Sequence, residues 1–204
     1  MIAQFLTWLQ HSLGKGPAAD AQSWSEALLG SLNFWNLLEG SHLIGLMLFA
    51  GTILVVDLRL LGVTFRGTRV SVVSDRILPL TVFGFIFVIV TGLGPTFAKP
   101  LFYYHNIFFR VKMILIAIAL VNILVFHSRI QATQDSWDAA AKPPGKARLA
   151  AAASLTIWFL VITCGRLIAY DFFECGKPHS DFINWAQECK TSEKGEVTLA
   201  GKRL

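Results

Sequence analysis

A chain of 204 residues that is 54% hydrophobic and only 15% charged, with a mean hydropathy of +0.55, has room for one helical membrane domain and little else. Its net charge of +5 comes from basic residues gathered in short loops, which is a topology signal rather than a nucleic-acid footprint. Phosphate-binding glycine loops, paired-thiol zinc spacings and nucleophile elbows are absent, which excludes the common soluble-enzyme motifs.

Residues 1–34 come first. Ile2, Phe5, Leu6, Leu9 and Leu13 fall on one helical face, with Gln4, Thr7, Gln10 and His11 elsewhere, which predicts a helix lying in the outer leaflet interface. The competing reading is a cleaved signal peptide ending at the small residues Ala19 and Ala21. It lacks a basic leader, and Gln10 and His11 interrupt its apolar core. Ser23 and Glu26 form a capping-box pattern that starts a second short helix.

Four apolar runs follow, from Trp35 to Val56, Ile77 to Phe97, Ile107 to Phe126 and Ala147 to Tyr170. Each is about as long as the roughly 20 residues needed to cross a bilayer. The expected fold is all-α, an antiparallel four-helix transmembrane bundle over residues 35–171. Thr91, Gly92, Gly94 and Pro95 are expected to break the second helix near its outer end. Arg59, Arg66, Arg69 and Arg76 follow the first run, and Arg129, Lys142, Lys146 and Arg148 lie between the last two. The positive-inside rule makes both loops cytoplasmic and both termini periplasmic. The loop from Ala98 to Asn106, with Lys99 and the aromatics Phe102, Tyr103 and Tyr104, then lies outside. In the tail, residues 172–204, a Cys175–Cys189 disulfide is expected, with a metal site at Cys175, His179 and Cys189 as the alternative. Beyond Thr191 the tail reads as disordered.

Several of these runs carry groups that cost a few kcal/mol in lipid unless paired. The first holds Glu39 and His42, the third Arg110, Lys112 and Asn122, and the fourth Arg166, while His105 and His127 flank the third. At 1.5 Å per residue, depth separates them. Glu39, His42, His105, Arg110, Lys112, Arg166 and Tyr170 fit one outer cluster. His127 lies about 33 Å along the helix from His105 and reads as an interface histidine bonding the basic loop. Asp57 and Arg59 read as a local ion pair, and Cys164 as a packing residue. Three readings of the cluster stay open. In one, His42 and His105 are axial ligands of haem b, with Arg110, Lys112 or Arg166 pairing the propionates. In another, the same cations hold a quinone or another anionic small molecule. In the third there is no cofactor, Glu39 pairs with Arg166 or Lys112, His42 is hydrogen-bonded across the bundle, and Arg110 snorkels outward.

Four segments together carry a family resemblance. They are His-Leu-Ile-Gly-Leu from His42 followed by Asp-Leu-Arg-Leu-Leu-Gly from Asp57; Leu-Pro-Leu-Thr from Leu78 with Gly84, Phe85, Thr91 and Gly92; Phe109, Lys112, Asn122, Phe126 and His127; and Ser154, Trp158 and the run Gly165 to Tyr170. The chain resembles an uncharacterised family of bacterial four-helix inner-membrane proteins, a domain of unknown function. The resemblance implies a bacterial inner membrane and four helices, and no established activity. The arrangement is also similar to the membrane domains of b-type cytochromes and copper-resistance proteins, by fold-level analogy. The expected function is a small redox subunit binding haem b or quinone near the periplasmic face, with a periplasmic or membrane redox partner. The alternative is a cofactor-free membrane scaffold or assembly subunit.

Overall fold

The computed structural model describes residues 2–17, 21–170, 180–187, 189–191 and 197–199, the last two segments as backbone only. Among the described residues four helices are long and apolar enough to cross a membrane: α3 (Leu32–Leu60), α4 (Val70–Ala98), α6 (Ile107–Val125) and α7 (Gly145–Ile168). A π turn (Phe126–Ile130) and a 3-10 turn (Gln131–Ser136) carry α6 further. The protein is therefore an all-helical, multi-pass membrane protein. Four shorter helices surround the spans: α1 (Ile2–His11), α2 (Trp24–Gly30), α5 (Pro100–His105) and α8 (Asp181–Ala186). Two three-residue strands, β1 (Cys189–Thr191) and β2 (Val197–Leu199), pair antiparallel in the tail, and β2 falls in the stretch beyond Thr191 that the sequence reads as disordered.

The spans pack in the order α4, α3, α7, α6, and Phe85 and Val88 of α4 pack with Leu115 and Ile116 of α6 against one core cluster. Only 11% and 6% of the apolar windows of α4 and α6 are buried, against 33% and 28% in α3 and α7, which makes α3 and α7 the inner wall. The tightest pair is α3 with α4. A Cβ on Gly84 would lie 3.1 Å from the Phe49 backbone nitrogen, and Gly45 and Gly94 similarly receive Phe87 and Leu38. Small residues thus set an antiparallel register by letting backbones approach, the usual route to helix association where lipid removes the hydrophobic driving force. The mid-bundle core is Phe49, Ala119, Trp158 and Val161. Phe49 meets Trp158 edge to face at 4.7 Å.

Two expectations need correction here. The second span is not broken: α4 runs on to Ala98 with Pro79 and Pro95 inside it. Pro95 removes the ladder donor that would reach the Thr91 carbonyl, yet the helix continues for three residues beyond it. Thr96 Oγ1 donates to the Gly92 carbonyl at 3.0 Å and Thr91 Oγ1 to that of Phe87 at 2.7 Å, so both hydroxyls are satisfied on their own helix in a setting without water. Nor do Asp57 and Arg59 pair, since the ion pair found among the described residues is His11–Glu26. Arg59 is fully buried and donates to the Thr68 and Ala140 carbonyls at 2.8 and 3.0 Å, clasping two loops together. Asp57 faces Ser154 on α7. Asp138 completes the clasp by accepting from Ser71 N at 2.7 Å and Ser71 Oγ at 2.6 Å, which caps the start of α4. Burial pushes the Asp138 carboxyl up, but the Ser71 bonds outweigh it and hold the group below the usual carboxylate range.

At the opposite end, which we call the α5 end, the capping box forms as expected. Ser23 Oγ accepts from Glu26 N, and Glu26 Oε2 accepts from Ser23 N. His11 also bonds Glu26 at 2.9 Å. That bond and the Ser23 backbone bond hold the Glu26 carboxyl at about 2. Buried Ser25 donates to the Phe97 carbonyl at 3.0 Å, tying α2 to the end of α4. Ile2, Phe5 and Trp8 of α1 stay exposed, consistent with an amphipathic helix facing lipid. The segment expected to be a loop from Ala98 contains α5, which begins with Pro100 at its first position, where the missing N–H costs nothing. Cys175 lies outside the described residues and Cys189 has only its backbone described, so the disulfide and the tail metal site fall outside them too.

Candidate functional site

His42 sits about 15 Å along α3 from its start at Leu32, half-buried against α4. Its Nδ1 lies 3.1 Å from Thr91 Oγ1. A threonine hydroxyl has one proton, and Thr91 directs that proton to the Phe87 carbonyl. Toward His42 it therefore accepts, and Nδ1 must carry the imidazole proton. The Val88 carbonyl is a second acceptor beside the ring. Nε2 is then the lone-pair nitrogen, and no donor among the described residues reaches it. Gly92 makes this placement possible, since a Cβ there would stand 3.0 Å from His42 Cε1.

Lys112 on α6 lies within Coulombic reach of His42. Its ammonium rests beside Gly165 of α7, where a Cβ would stand 3.5 Å away, and within Coulombic reach of the buried Cys164 thiol. No carboxylate pairs with it among the described residues. A half-buried cation without a counter-ion, beside a histidine with an open lone pair, is a costly arrangement in a membrane span. Together they set one donor and one acceptor within the spans, His42 against Gly92 of α4 and Lys112 beside Gly165 of α7.

The other expected site residues have separate partners. Glu39 is exposed and forms no ion pair among the described residues, so the expected pairing with Arg166 or Lys112 does not form. Its nearest documented influence is on Tyr103, whose hydroxyl is pushed up to about 12 by burial and then by the Glu39 charge. Arg166 donates to Tyr170 Oη at 2.8 Å and stacks over that ring, an exposed pair one turn apart on α7. His105 is buried, with Nδ1 2.8 Å from the Gln187 carbonyl. A carbonyl only accepts, so Nδ1 carries the proton here as well. Arg110 donates to the Tyr104 and Ala186 carbonyls rather than snorkelling freely, at 2.8 and 2.5 Å. Asn106, buried at 3% exposure, caps α6 by accepting from Phe109 N. His127 hydrogen-bonds Gln131 one turn later, and Asn122 donates to the Ala150 carbonyl at 3.1 Å.

The contacts thus form three groups: His42 with Lys112, His105 with Arg110 under α8, and Arg166 with Tyr170. Thr91, Gly92 and Gly165 belong to the first group. The sequence marks the first two only as packing or helix-breaking residues, because the antiparallel register of α3 on α4 is needed to set them against His42. Two surface grooves of about 250 and 280 Å3 lie elsewhere, one under Trp185 against Ile107, Arg110 and Ile114, the other among Val55, Phe65 and Arg76.

Fold and site together define a multi-pass helical membrane protein with ionisable groups set within its spans. Residues 33–171 match the model of DUF6644, a family of unknown function, and the chain belongs to that family. No curated protein and no solved structure matches it. The match begins in α3 and ends just after α7, so it includes His42, Thr91, Lys112 and Gly165 and leaves out α1, α2 and α8.

Proposed function

We propose that the protein is a small redox subunit of the bacterial inner membrane, holding a redox-active small molecule near the periplasmic face and passing electrons to or from a periplasmic or membrane partner. One observation carries the reading. His42 has its Nδ1–H anchored on Thr91 and its Nε2 open, beside a Lys112 cation that no described carboxylate neutralises. Ionisable groups held in a span without mutual pairing serve a ligand or a charge more readily than they serve stability.

Haem b and quinone are the two candidate groups. Haem draws on a specific feature: both His42 and His105 donate Nδ1–H to a fixed oxygen. Histidines that bind metal through Nε2 are oriented by that kind of bond. Lys112, the cation beside His42, would then supply charge for a propionate, and bound haem would supply one-electron chemistry. The absorption spectrum of the purified protein, oxidised and reduced, decides this version. A Soret band and a reducible α band that vanish in His42→Ala support haem. A colourless protein whose solvent extract also lacks quinone removes the redox function and leaves a cofactor-free scaffold.

A further inference from the structure

We propose that the groove between α3 and α4 at the Arg59 end binds one anionic phospholipid, with its phosphate on Arg76 and an acyl chain against Val55, Val72 and Ile77. The groove measures about 280 Å3 and is independent of any group held at His42. Its depth follows from the sequence of its walls. On α3 the apolar run ends at Val56 and Asp57 follows, while on α4 Arg76 is the last charged residue before the run from Ile77 to Phe97. The antiparallel packing of the two helices brings Val55 and Arg76 into the same groove. It therefore lies where hydrocarbon gives way to headgroups, at the end that the positive-inside rule makes cytoplasmic. Phe65, Val72 and Arg76 are exposed on the outside of the two spans, and the molecule that covers such a surface at that depth is lipid.

The two ends of the groove match the two parts of such a lipid. Arg76 forms no ion pair among the described residues, and a guanidinium can hold a phosphate by two parallel bonds. Asp75 precedes it but points about 100° away around the helix, and Asp138 is already engaged with Ser71. Arg66 and Arg69, in the loop leading into α4, add to the positive charge of this end. Below Arg76 the lining is aliphatic, and Phe65 forms one wall. Phe65 is 56% exposed with φ +50°, a left-handed conformation that a bulky residue rarely adopts. The Thr68 N–H donates to the Phe65 carbonyl at 2.9 Å, and buried Arg59 holds the Thr68 carbonyl, so the turn fixes that wall in place. An exposed aromatic kept in a strained conformation and braced from behind fits a contact with something outside the chain.

The test uses the full chain, delipidated in detergent, with native mass spectrometry reading its complexes with dioleoyl phosphatidylglycerol, dioleoyl phosphatidylcholine or glycerol phosphate. A single phosphatidylglycerol per chain should bind ahead of further lipid, about fivefold more tightly than phosphatidylcholine, and glycerol phosphate should not be retained. Arg76→Gln should bring phosphatidylglycerol down to the phosphatidylcholine level, and Arg76→Lys should keep part of the difference. Phe65→Gly, which removes the wall and suits the left-handed backbone, should weaken both lipids alike. Arg148→Gln removes a cation of the same end that does not line the groove, and it should bind as the wild type does. Variants that keep the wild-type elution volume and Tm without lipid exclude misfolding as the cause. Phosphatidylglycerol preference that survives Arg76→Gln, or that Arg148→Gln abolishes equally, overturns the site. Glycerol phosphate held as tightly as the lipid overturns the lipid as occupant and leaves a free-phosphate site. A lipid-free dimer that Phe65→Gly dissociates overturns it too, by placing a second copy of the chain in the groove.

Discussion

Replacing Gly84 with alanine probes the α3–α4 register directly. The added Cβ would stand 3.1, 3.2 and 3.3 Å from the backbone N, Cα and Cβ of Phe49, and none of these can rotate away. Ordinary contact needs about 3.5–4.0 Å between carbon atoms, so the helices must part by roughly half an ångström at this point. A gap of that size forfeits about a quarter to a half of each local dispersion well. The register runs from Leu38 on Gly94 to Phe49 on Gly84, about 17 Å of helix at 1.5 Å per residue, so the strain spreads over a long interface. Overpacking of this kind costs about 1–3 kcal/mol. The gain in helix propensity that alanine brings in water largely cancels here, because helices persist in the membrane-embedded unfolded state. Gly51→Ala is the control, since nothing lies within 4 Å of a Cβ at that position and its effect should stay within about 0.5 kcal/mol. Unfolding in mixed micelles, monitored by tryptophan fluorescence, measures both. Equal stabilities for the two variants would refute the close-approach argument.

Arg59→Leu should cost about 2–4 kcal/mol, since two charge-assisted bonds to the Thr68 and Ala140 carbonyls are lost. Limited proteolysis should then cut the loops at 61–69 and 137–144 faster, and an unchanged cutting rate would count against the clasp. Asp138 has its folded pKa held below the ordinary value. Its contribution is therefore full above about pH 4 and is lost as pH falls through the lower folded value; Asp138→Asn should flatten the acid limb of a Tm–pH profile, and a superimposable profile would oppose this. Glu26, held at about 2 by His11 and the Ser23 backbone bond, should likewise lose its contribution only between about pH 4.5 and 2. Circular dichroism of Glu26→Gln should show reduced acid sensitivity over that window, and no change would contradict the assignment. Thr91→Val removes the acceptor that fixes the His42 tautomer, so it should weaken haem or quinone binding several-fold with Lys112 intact; wild-type binding would show that Thr91 does not orient the ring.

The four spans and their order are legible in the sequence because length and apolarity alone decide whether a helix crosses a bilayer. So is the α2 capping box, whose Ser23 and Glu26 are three residues apart and need no tertiary partner. The continuity of α4 is not legible. Pro95 and its neighbouring glycines read as a break, yet α4 runs on to Ala98, with the Lys99 N–H donating to the Pro95 carbonyl. The site is visible in part, since His42 and Lys112 stand out as misplaced polar groups. Six residues of the seven-residue outer cluster divide into three groups and Glu39 stands apart from them, because a shared depth leaves helix rotation undetermined. Arg166 and Tyr170, one turn apart on α7, satisfy each other instead of reaching the interior. Asp57 and Arg59 are two residues apart and so point to different sides of α3, which sends one to Ser154 and the other to the loops.

The most direct test of a redox ligand at His42 is chemical analysis of what the protein carries when purified from its native membrane. Organic-solvent extraction followed by chromatography should yield about one haem or quinone per chain from the wild type and a small fraction of that from His42→Ala and Lys112→Met. An extract free of quinone from protein that is also colourless would contradict the account.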